Sequence, residues 1–293
     1  MTNMDHQQEA QELFDRAVKQ ANQFFVSWNK EEHLEDAETL FVQACSLFKV
    51  SNCLEMVLQT YEWIIKCETH LGRFFELAKT YEEMGHYLQG NPTGPTGPTG
   101  LHGMKSAHLF ELAADLYLKE NNPNKAHQLL CLTGQLYEEE LDMTHAMACY
   151  RQAIRCAKIC GVISKDSMSN LAQLEAINQN YADAIEVYED LINLLSENLT
   201  LRFSIRTYLF YQLICYLAND DLVGAKKKLV DSSDDYVFFG KSTESQVASE
   251  IISAVETCDP DRFVNVISEY DDVSRFPPFL TTLLLRIKKL IRT

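Results

Sequence analysis

A repeated pattern of small and aromatic residues constrains the fold of this chain more than any other feature. Ala146, Tyr150 and Ala153 follow one another at helical spacing, and Gly134 and Tyr137 precede them on a separate helix-forming stretch. Small residues let two helices approach closely, and aromatic residues one turn away fill the groove between them. The pattern therefore predicts antiparallel pairs of helices.

The alanines that lead the second helix of each pair recur at a nearly constant interval. They stand at positions 107, 146, 184 and 225, which are 39, 38 and 41 residues apart. The interval is slightly longer than the ~34 residues of a tetratricopeptide unit. We predict an all-α chain with a tetratricopeptide-like solenoid of antiparallel helix pairs at residues 1–230 and a C-terminal helical bundle at residues 231–293.

Residues 90–103 interrupt this pattern with three Gly-Pro-Thr triplets. A collagen triple helix needs three chains and many more triplets. We therefore interpret the segment as a flexible loop inserted between two helices, and as the first site of proteolysis.

Charge and cysteine content narrow the class of protein. The net charge of −16 opposes binding to nucleic-acid phosphates, which requires a basic surface, and favours basic protein partners. The nine cysteines form no Cys-x-x-Cys pair, which favours reduced thiols in a reducing compartment.

We see no secretory signal pattern and no apolar run of the ~20 residues that span a membrane. We expect a cytoplasmic protein.

Motifs that would indicate catalysis are absent from the sequence. It contains no glycine-rich phosphate loop, no His-Glu-x-x-His and no Gly-x-Ser-x-Gly. His127 and His145 fall near predicted helix ends, and Glu138-Glu139-Glu140 is better explained as a charged turn than as a carboxylate site. We therefore predict that the protein is not an enzyme and has no catalytic residue, metal site or cofactor.

Phe24, Phe25 and Trp28 form an aromatic connection between a first predicted helix, about Gln7 to Gln23, and one beginning near His33. Large side chains left in water forgo about 1.5–3 kcal/mol of burial each. The residues alone leave two interpretations open. The aromatics pack the connection onto its neighbours, or they insert into a membrane interface.

The stretch from Phe279 to Ile291 predicts a final helix after Pro277-Pro278, with an apolar body and a cationic end. It either packs as a cap on the preceding helices or docks a partner.

The same C-terminal region resembles a known family. Glu269-Tyr270-Asp271, followed by Leu280-Thr281-Thr282 and Leu284-Leu285-Arg286-Ile287-Lys288-Lys289, is similar to the end of soluble NSF attachment proteins (SNAPs), closest to the α/β-SNAP and Sec17 branch. Further matches are Phe24-Phe25, the stretch Leu136 to Asp142, and the stretch Ala184 to Glu189. The resemblance covers nearly the whole chain except residues about 90–103.

This resemblance implies an adaptor that wraps a four-helix SNARE bundle and recruits the hexameric AAA+ ATPase NSF, which disassembles the bundle. It implies peripheral membrane contact through Phe24, Phe25 and Trp28. By the same resemblance, Lys158 and Arg202 meet the acidic SNARE surface. Glu256, Leu290 and Ile291 are the residues expected to meet the ATPase.

Some positions depart from the family pattern. Thr207 and Ser253 stand where acidic residues are common, Gln128 stands where lysine is common, and no acidic tail follows Leu290-Ile291. These departures motivate an alternative, a SNAP-like mimic that binds SNAREs without supporting disassembly. A general tetratricopeptide scaffold for peptide motifs is a second alternative, although no cluster of basic residues suited to a terminal carboxylate is identified.

Overall fold

The computed structural model describes residues 3–23, 30–90, 100–198 and 201–291, and the regular elements in those residues are all helical. Contacts between residues divide the chain into two compact units, Met1–Gly161 and Val162–Thr293. The N-terminal unit contains α1 (Asn3–Gln23), α2 (Lys30–Val50), α3 (Leu54–Leu71), α4 (Phe74–Gly90), α5 (Gly100–Lys119), α6 (Pro123–Glu139) and α7 (Met143–Cys160). The C-terminal unit contains α8 (Lys165–Ile177), α9 (Tyr181–Ser196), a 3₁₀ turn (Arg202–Ser204), α10 (Ile205–Ala218), α11 (Leu222–Asp235), α12 (Val237–Gly240), α13 (Thr243–Glu256), α14 (Pro260–Val273) and α15 (Pro278–Ile291).

Local sequence explains where several of these helices begin and end. The Asn122 side chain accepts a hydrogen bond from the Lys125 backbone N–H, and the Asp142 side chain accepts one from the His145 backbone N–H, as N-cap residues do. Gly161 follows α7 with a φ of +66°, the left-handed conformation that commonly ends a helix. Asn121 and Asn122, residues 178–180 and residues 219–221 are all poor helix formers or turn residues, and all of them lie between helices.

Helices of the N-terminal unit pack in chain order, each against the one before and the one after. Gly134 of α6 faces Tyr150 of α7, and a Cβ atom at Gly134 would lie 2.7 Å from the Tyr150 ring. Gly85 of α4 faces Phe110 of α5 in the same way, with a distance of 2.5 Å. In both helix pairs the glycine has no side chain, and the aromatic ring of the neighbouring helix occupies the space beside it. This is the packing that the repeat predicts.

The repeat alanines confirm the predicted fold class. Those at positions 107, 146, 184 and 225 are all fully buried. The nine cysteines are free thiols, and five of them are buried. Burial raises the pKa of the Cys45 thiol to about 11 and that of Cys149 to about 12. Such thiols behave as small apolar core residues.

The C-terminal unit closes on itself through its last helix. α8 to α11 pack in chain order, whereas α15 contacts both α10 and α8. Phe279 of α15 meets Tyr211 of α10 edge-on, with ring centroids 5.0 Å apart. Phe276, just before α15, stacks on Phe210 of α10 at 6.2 Å. The final helix is therefore part of the core of this unit.

Four predicted boundaries differ from the structure. The first helix begins at Asn3, four residues earlier than predicted, and the second begins at Lys30, three residues earlier. Apart from Met4, both added stretches are polar, and apolar periodicity does not mark a polar helix end. α4 continues to Gly90 and α5 begins at Gly100, so both helices enter the stretch predicted as a loop; residues 91–99 lie outside the described residues. The division expected at residue 230 stays a prediction.

Candidate protein-interaction surfaces

Phe24, Phe25 and Trp28 lie outside the described residues, so their predicted membrane contact stays a proposal. The connection that carries them joins the end of α1 to the start of α2. Arg73, in the turn between α3 and α4, reaches this part of α2. Its guanidinium pairs with Glu38 at 3.1 Å and also with Glu35. The turn at Arg73 therefore lies beside the N-terminal end of α2.

Lys158 is exposed in the last turn of α7. Arg151 and Arg155 are exposed on the same helix, and spacings of four and three residues place all three side chains on one face. We call these three residues the α7 basic stripe. The family resemblance points to Lys158 alone, although the spacing of Arg151 and Arg155 along a predicted helix is a sequence pattern that also indicates these two residues.

Arg202 is exposed in the C-terminal unit and lies against two aromatic rings. Its guanidinium carbon is 5.6 Å from the centroid of the Phe203 ring and 6.0 Å from that of Phe238. The two rings meet edge-on at 6.1 Å, and Phe203 is 60% exposed. Cation–π contact orients the guanidinium while leaving it accessible. The surface thus offers a positive charge beside exposed apolar area.

Glu256 is exposed at the end of α13 and forms an ion pair with Lys226 of α11. Exposed ion pairs contribute only about 0–1 kcal/mol, so a basic group on a partner could replace Lys226 at little cost. Ser253, where the family often has an acidic residue, accepts a hydrogen bond from the Arg262 guanidinium at 3.1 Å. Two basic residues of the same chain, Lys226 and Arg262, therefore lie near the negative charge at the end of α13.

Leu290 and Ile291 lie at the end of α15, and Leu290 is 44% exposed. The opposite face of this helix is buried in the C-terminal unit. Beside α15 runs a groove of about 240 Å³, lined by Phe263, Val264, Ile267, Ser268, Asp271, Phe276, Thr281, Leu284, Leu285 and Lys288. The end of α15 and this groove place accessible apolar area on the C-terminal unit.

Arg286 of α15, which stands out in the sequence only as part of the family resemblance, is a positioning residue. Its guanidinium donates to the carbonyl oxygens of Ala176 and Ile177, at 3.1 and 2.8 Å, and to the Tyr181 hydroxyl at 3.2 Å. These acceptors lie at the end of α8 and the start of α9. Arg286 therefore fixes the helix that carries Leu290 and Ile291.

Glu68 is a buried carboxylate that no sequence pattern pointed out. It is 3% exposed, and one of its oxygens accepts a hydrogen bond from the Thr80 hydroxyl at 2.8 Å. The pKa of the Glu68 carboxyl is raised from 4.5 to about 7, mainly by burial and to a lesser extent by the nearby carboxylates of Glu38, Glu76 and Glu83, while the Thr80 hydrogen bond acts in the opposite direction. A pKa near 7 makes the protonation of this buried carboxyl depend on pH around neutrality.

Within the described residues, no three His, Cys, Asp or Glu side chains converge in an arrangement that could hold a metal ion. The His127 ring lies 3.0 Å from the Ala153 carbonyl oxygen, and His145 contacts the capping carboxylate of Asp142 at 2.7 Å. The His145 contact belongs to the start of α7, whereas the His127 contact joins α6 to the middle of α7. None of the helices in the described ranges is long and apolar enough to cross a bilayer.

Comparison with known proteins relates the whole chain to a family. The chain is 24% identical over 302 residues to the beta-soluble NSF attachment protein of Bos taurus, an alignment that covers 100% of this chain and 97% of the relative. It is 22% identical to a probable vesicular-fusion protein sec17 homolog of Schizosaccharomyces pombe, with 96% of each chain covered.

Among solved structures, a signal transduction ATPase with a tetratricopeptide repeat sensor from Pyrococcus horikoshii aligns with a TM-score of 0.44 at 15% identity. That alignment covers 98% of this chain and 46% of the other. The family model described as soluble NSF attachment protein, SNAP, matches residues 8–292. The chain therefore belongs to the SNAP family.

Proposed function

We propose that this protein is an adaptor that binds SNARE complexes and recruits and stimulates an NSF-type ATPase for their disassembly, in vesicle-mediated transport and membrane fusion. The observation that carries the proposal is the family match over residues 8–292, which includes both units. The names of the relatives, an NSF attachment protein and a vesicular-fusion protein, support the same role.

The α7 basic stripe supports the SNARE part of this proposal. Three exposed cations on one helix face suit an acidic helical bundle, and they stand out on a chain whose net charge is −16. Arg202 would add a second contact, with Phe203 and Phe238 supplying apolar area beside its charge. Arg and aromatic residues, including Phe, are enriched at protein–protein interfaces relative to the rest of the protein surface.

The C-terminal unit would meet the ATPase. Glu256 would exchange its ion pair with Lys226 for a basic group of the partner, and Leu290 and Ile291 would add apolar contact at the end of α15. Phe24, Phe25 and Trp28 would hold the adaptor at the membrane, since aromatic side chains with Trp suit a lipid interface. In this proposal the protein contributes binding and positioning, and ATP hydrolysis belongs to the partner.

The test is an ATP-dependent disassembly assay with a preassembled SNARE bundle, an NSF-type ATPase and this protein, with bundle binding followed in the same samples. Binding together with disassembly is the expected result. Binding without disassembly would contradict the ATPase part and favour a SNAP-like mimic. Absence of binding would overturn the adaptor function and leave a general helical-repeat scaffold.

A paired assay isolates the membrane contact. Phe24→Ser with Phe25→Ser should weaken action on SNAREs anchored in vesicles and spare soluble bundles. Equal loss on both substrates, or a large fall in melting temperature, would show that these aromatics stabilise the fold instead.

A further inference from the structure

Two adjacent phenylalanines begin α4 with their side chains about half exposed. Phe74 is 46% exposed and Phe75 is 45% exposed. Among the described residues of the N-terminal unit, they are the only exposed Phe, Tyr or Trp side chains. The other described phenylalanines of this unit, at positions 14, 41, 48 and 110, are buried in the helix stack. The fold therefore leaves nearly half of the surface of each of these two side chains open to solvent.

Contacts within the unit fix where this pair lies. Arg73, the residue before Phe74, pairs with Glu38 at 3.1 Å and with Glu35. Glu35 is five residues into α2, which is about 8 Å along the helix from its start at Lys30. Phe74 and Phe75 therefore lie at the end of the unit where the connection from α1 enters α2.

Helix order leads to the same conclusion independently. α1, α2, α3 and α4 pack in sequence and are joined by short connections, so successive helices run in opposite directions. The connections α1–α2 and α3–α4 then share one end of the unit, and the connection α2–α3 lies at the other. The Phe75 ring packs edge-on against the ring of Tyr117 of α5, and the two ring centroids lie 5.7 Å apart.

We propose that Phe74 and Phe75 form a second membrane contact, which enters the interface of a zwitterionic bilayer beside the Phe24-Phe25 connection. This inference rests on the proposed membrane contact of that connection, because a lipid surface at one connection also reaches others at the same end. Both residues lie in the first turn of their helix, at the end of the helix stack, and this position makes them accessible to a bilayer surface.

The charges nearby specify the lipid. Glu31 and Glu32 in the first turn of α2 and Glu76 in the first turn of α4 are exposed at this end. Carboxylates are repelled by anionic headgroups, so insertion depends on the aromatic side chains rather than on charge attraction. Adding anionic lipid should therefore weaken binding, the reverse of what a polybasic membrane site shows.

The test is flotation of the full chain with phosphatidylcholine vesicles. The double variant F74S/F75S should bind about tenfold more weakly than wild type, because two interfacial aromatic side chains are lost. Val50→Ser is the matched control, since Val50 is 63% exposed at the far end of α2. It should bind like wild type. Melting temperatures of all variants are measured in the same buffers.

Phe74→Trp supplies a second measurement that keeps an aromatic side chain in place. Vesicles with brominated acyl chains should quench the additional fluorescence of this variant relative to wild type. Unquenched fluorescence, or wild-type vesicle binding by F74S/F75S, would overturn the inference. Loss of soluble SNARE binding with unchanged vesicle binding would overturn it in favour of a protein contact.

The proposed function has a separate readout. If wild type binds no vesicles, both membrane contacts fail, whereas disassembly of soluble SNARE bundles by wild type still tests the adaptor function. If F24S/F25S loses vesicle binding and F74S/F75S keeps it, the second contact alone is wrong.

Discussion

The guanidinium of Arg286 donates a hydrogen bond to the carbonyl oxygen of Ile177 at 2.8 Å, across 109 residues of chain. The last carbonyl groups of a helix receive no hydrogen bond from within that helix. Arg286 also donates a hydrogen bond to the carbonyl oxygen of Ala176, one residue earlier. One side chain therefore ties the final helix to the turn between α8 and α9. The surface at Leu290 and Ile291 depends on this attachment.

Replacing Arg286 with methionine should destabilise the C-terminal unit by about 2 kcal/mol, because half-buried carbonyl groups lose charged donors. Urea unfolding measures the free energy, and hydrogen exchange in α15 should accelerate. Lys227→Ala is the control, because Lys227 is an exposed cation of the same unit. Equal loss in both variants would show that Arg286 acts only through its charge.

The raised pKa of Glu68 predicts a pH dependence of stability. A carboxyl whose pKa is about 7 folded and 4.5 unfolded binds more protons in the folded state. The contribution of Glu68 to the free energy of unfolding is therefore greatest below pH 4.5, and it is lost as the pH rises through 7. Glu68→Gln should stabilise the protein by on the order of 2 kcal/mol at pH 8 and much less at pH 5.5.

Thermal unfolding across this pH range measures the effect of Glu68→Gln. Glu55→Gln, an exposed carboxylate of the same helix, serves as the control and should leave the pH profile of wild type unchanged. A Glu68→Gln variant whose profile is parallel to that of wild type would show that Glu68 does not titrate in this range.

Gly134→Ala should destabilise the N-terminal unit by about 1–3 kcal/mol, because the new methyl group would lie 2.7 Å from the Tyr150 ring. This loss outweighs the gain of about 1 kcal/mol in helix propensity. Gly90→Ala, with no atom within 4 Å of the added Cβ, should be neutral or stabilising. Chemical unfolding of both variants tests the prediction, which fails if Gly134→Ala is as stable as Gly90→Ala.

Leu141 has a φ of +61° in the turn between α6 and α7, and its side chain is 77% exposed. A non-glycine residue in the left-handed region costs roughly 1–2 kcal/mol, and little packing would be lost on removal of this side chain. Leu141→Gly should therefore raise the free energy of unfolding by about 0.5–1 kcal/mol. A lower melting temperature would show that the leucine makes packing contacts that outweigh this strain.

Lys158→Glu should weaken SNARE binding about tenfold at low salt, with a smaller effect at high salt, because salt screens exposed charges. Titration of a labelled bundle at several salt concentrations measures this effect. Lys119→Glu is the matched control, since Lys119 is also exposed in the last turn of a helix and experiences the same helix dipole. Unchanged affinity of Lys158→Glu at low salt would remove this residue from the interface.

The amino-acid sequence by itself determined the fold class and the family. Helix pairing is encoded locally: the buried alanines at 107, 146, 184 and 225 recur at a fixed interval, and Gly134 faces Tyr150 as the repeat requires. The residues from Glu269 to Lys289 were enough to suggest the SNAP family, which the family match confirmed. Turns marked by asparagine and aspartate were also predictable, because their backbone preferences are local.

Only the tertiary structure decided which side chains are buried and which remain exposed. Glu68 has the sequence context of a surface glutamate, yet neighbouring helices remove it from water and raise the pKa of its carboxyl. Phe74 and Phe75 have the composition of core residues, yet they start a helix at the end of the stack and stay exposed. Arg286 finds its acceptors 109 and 110 residues away. Burial and partner choice depend on contacts distant in sequence, and short-range periodicity carries no information about them.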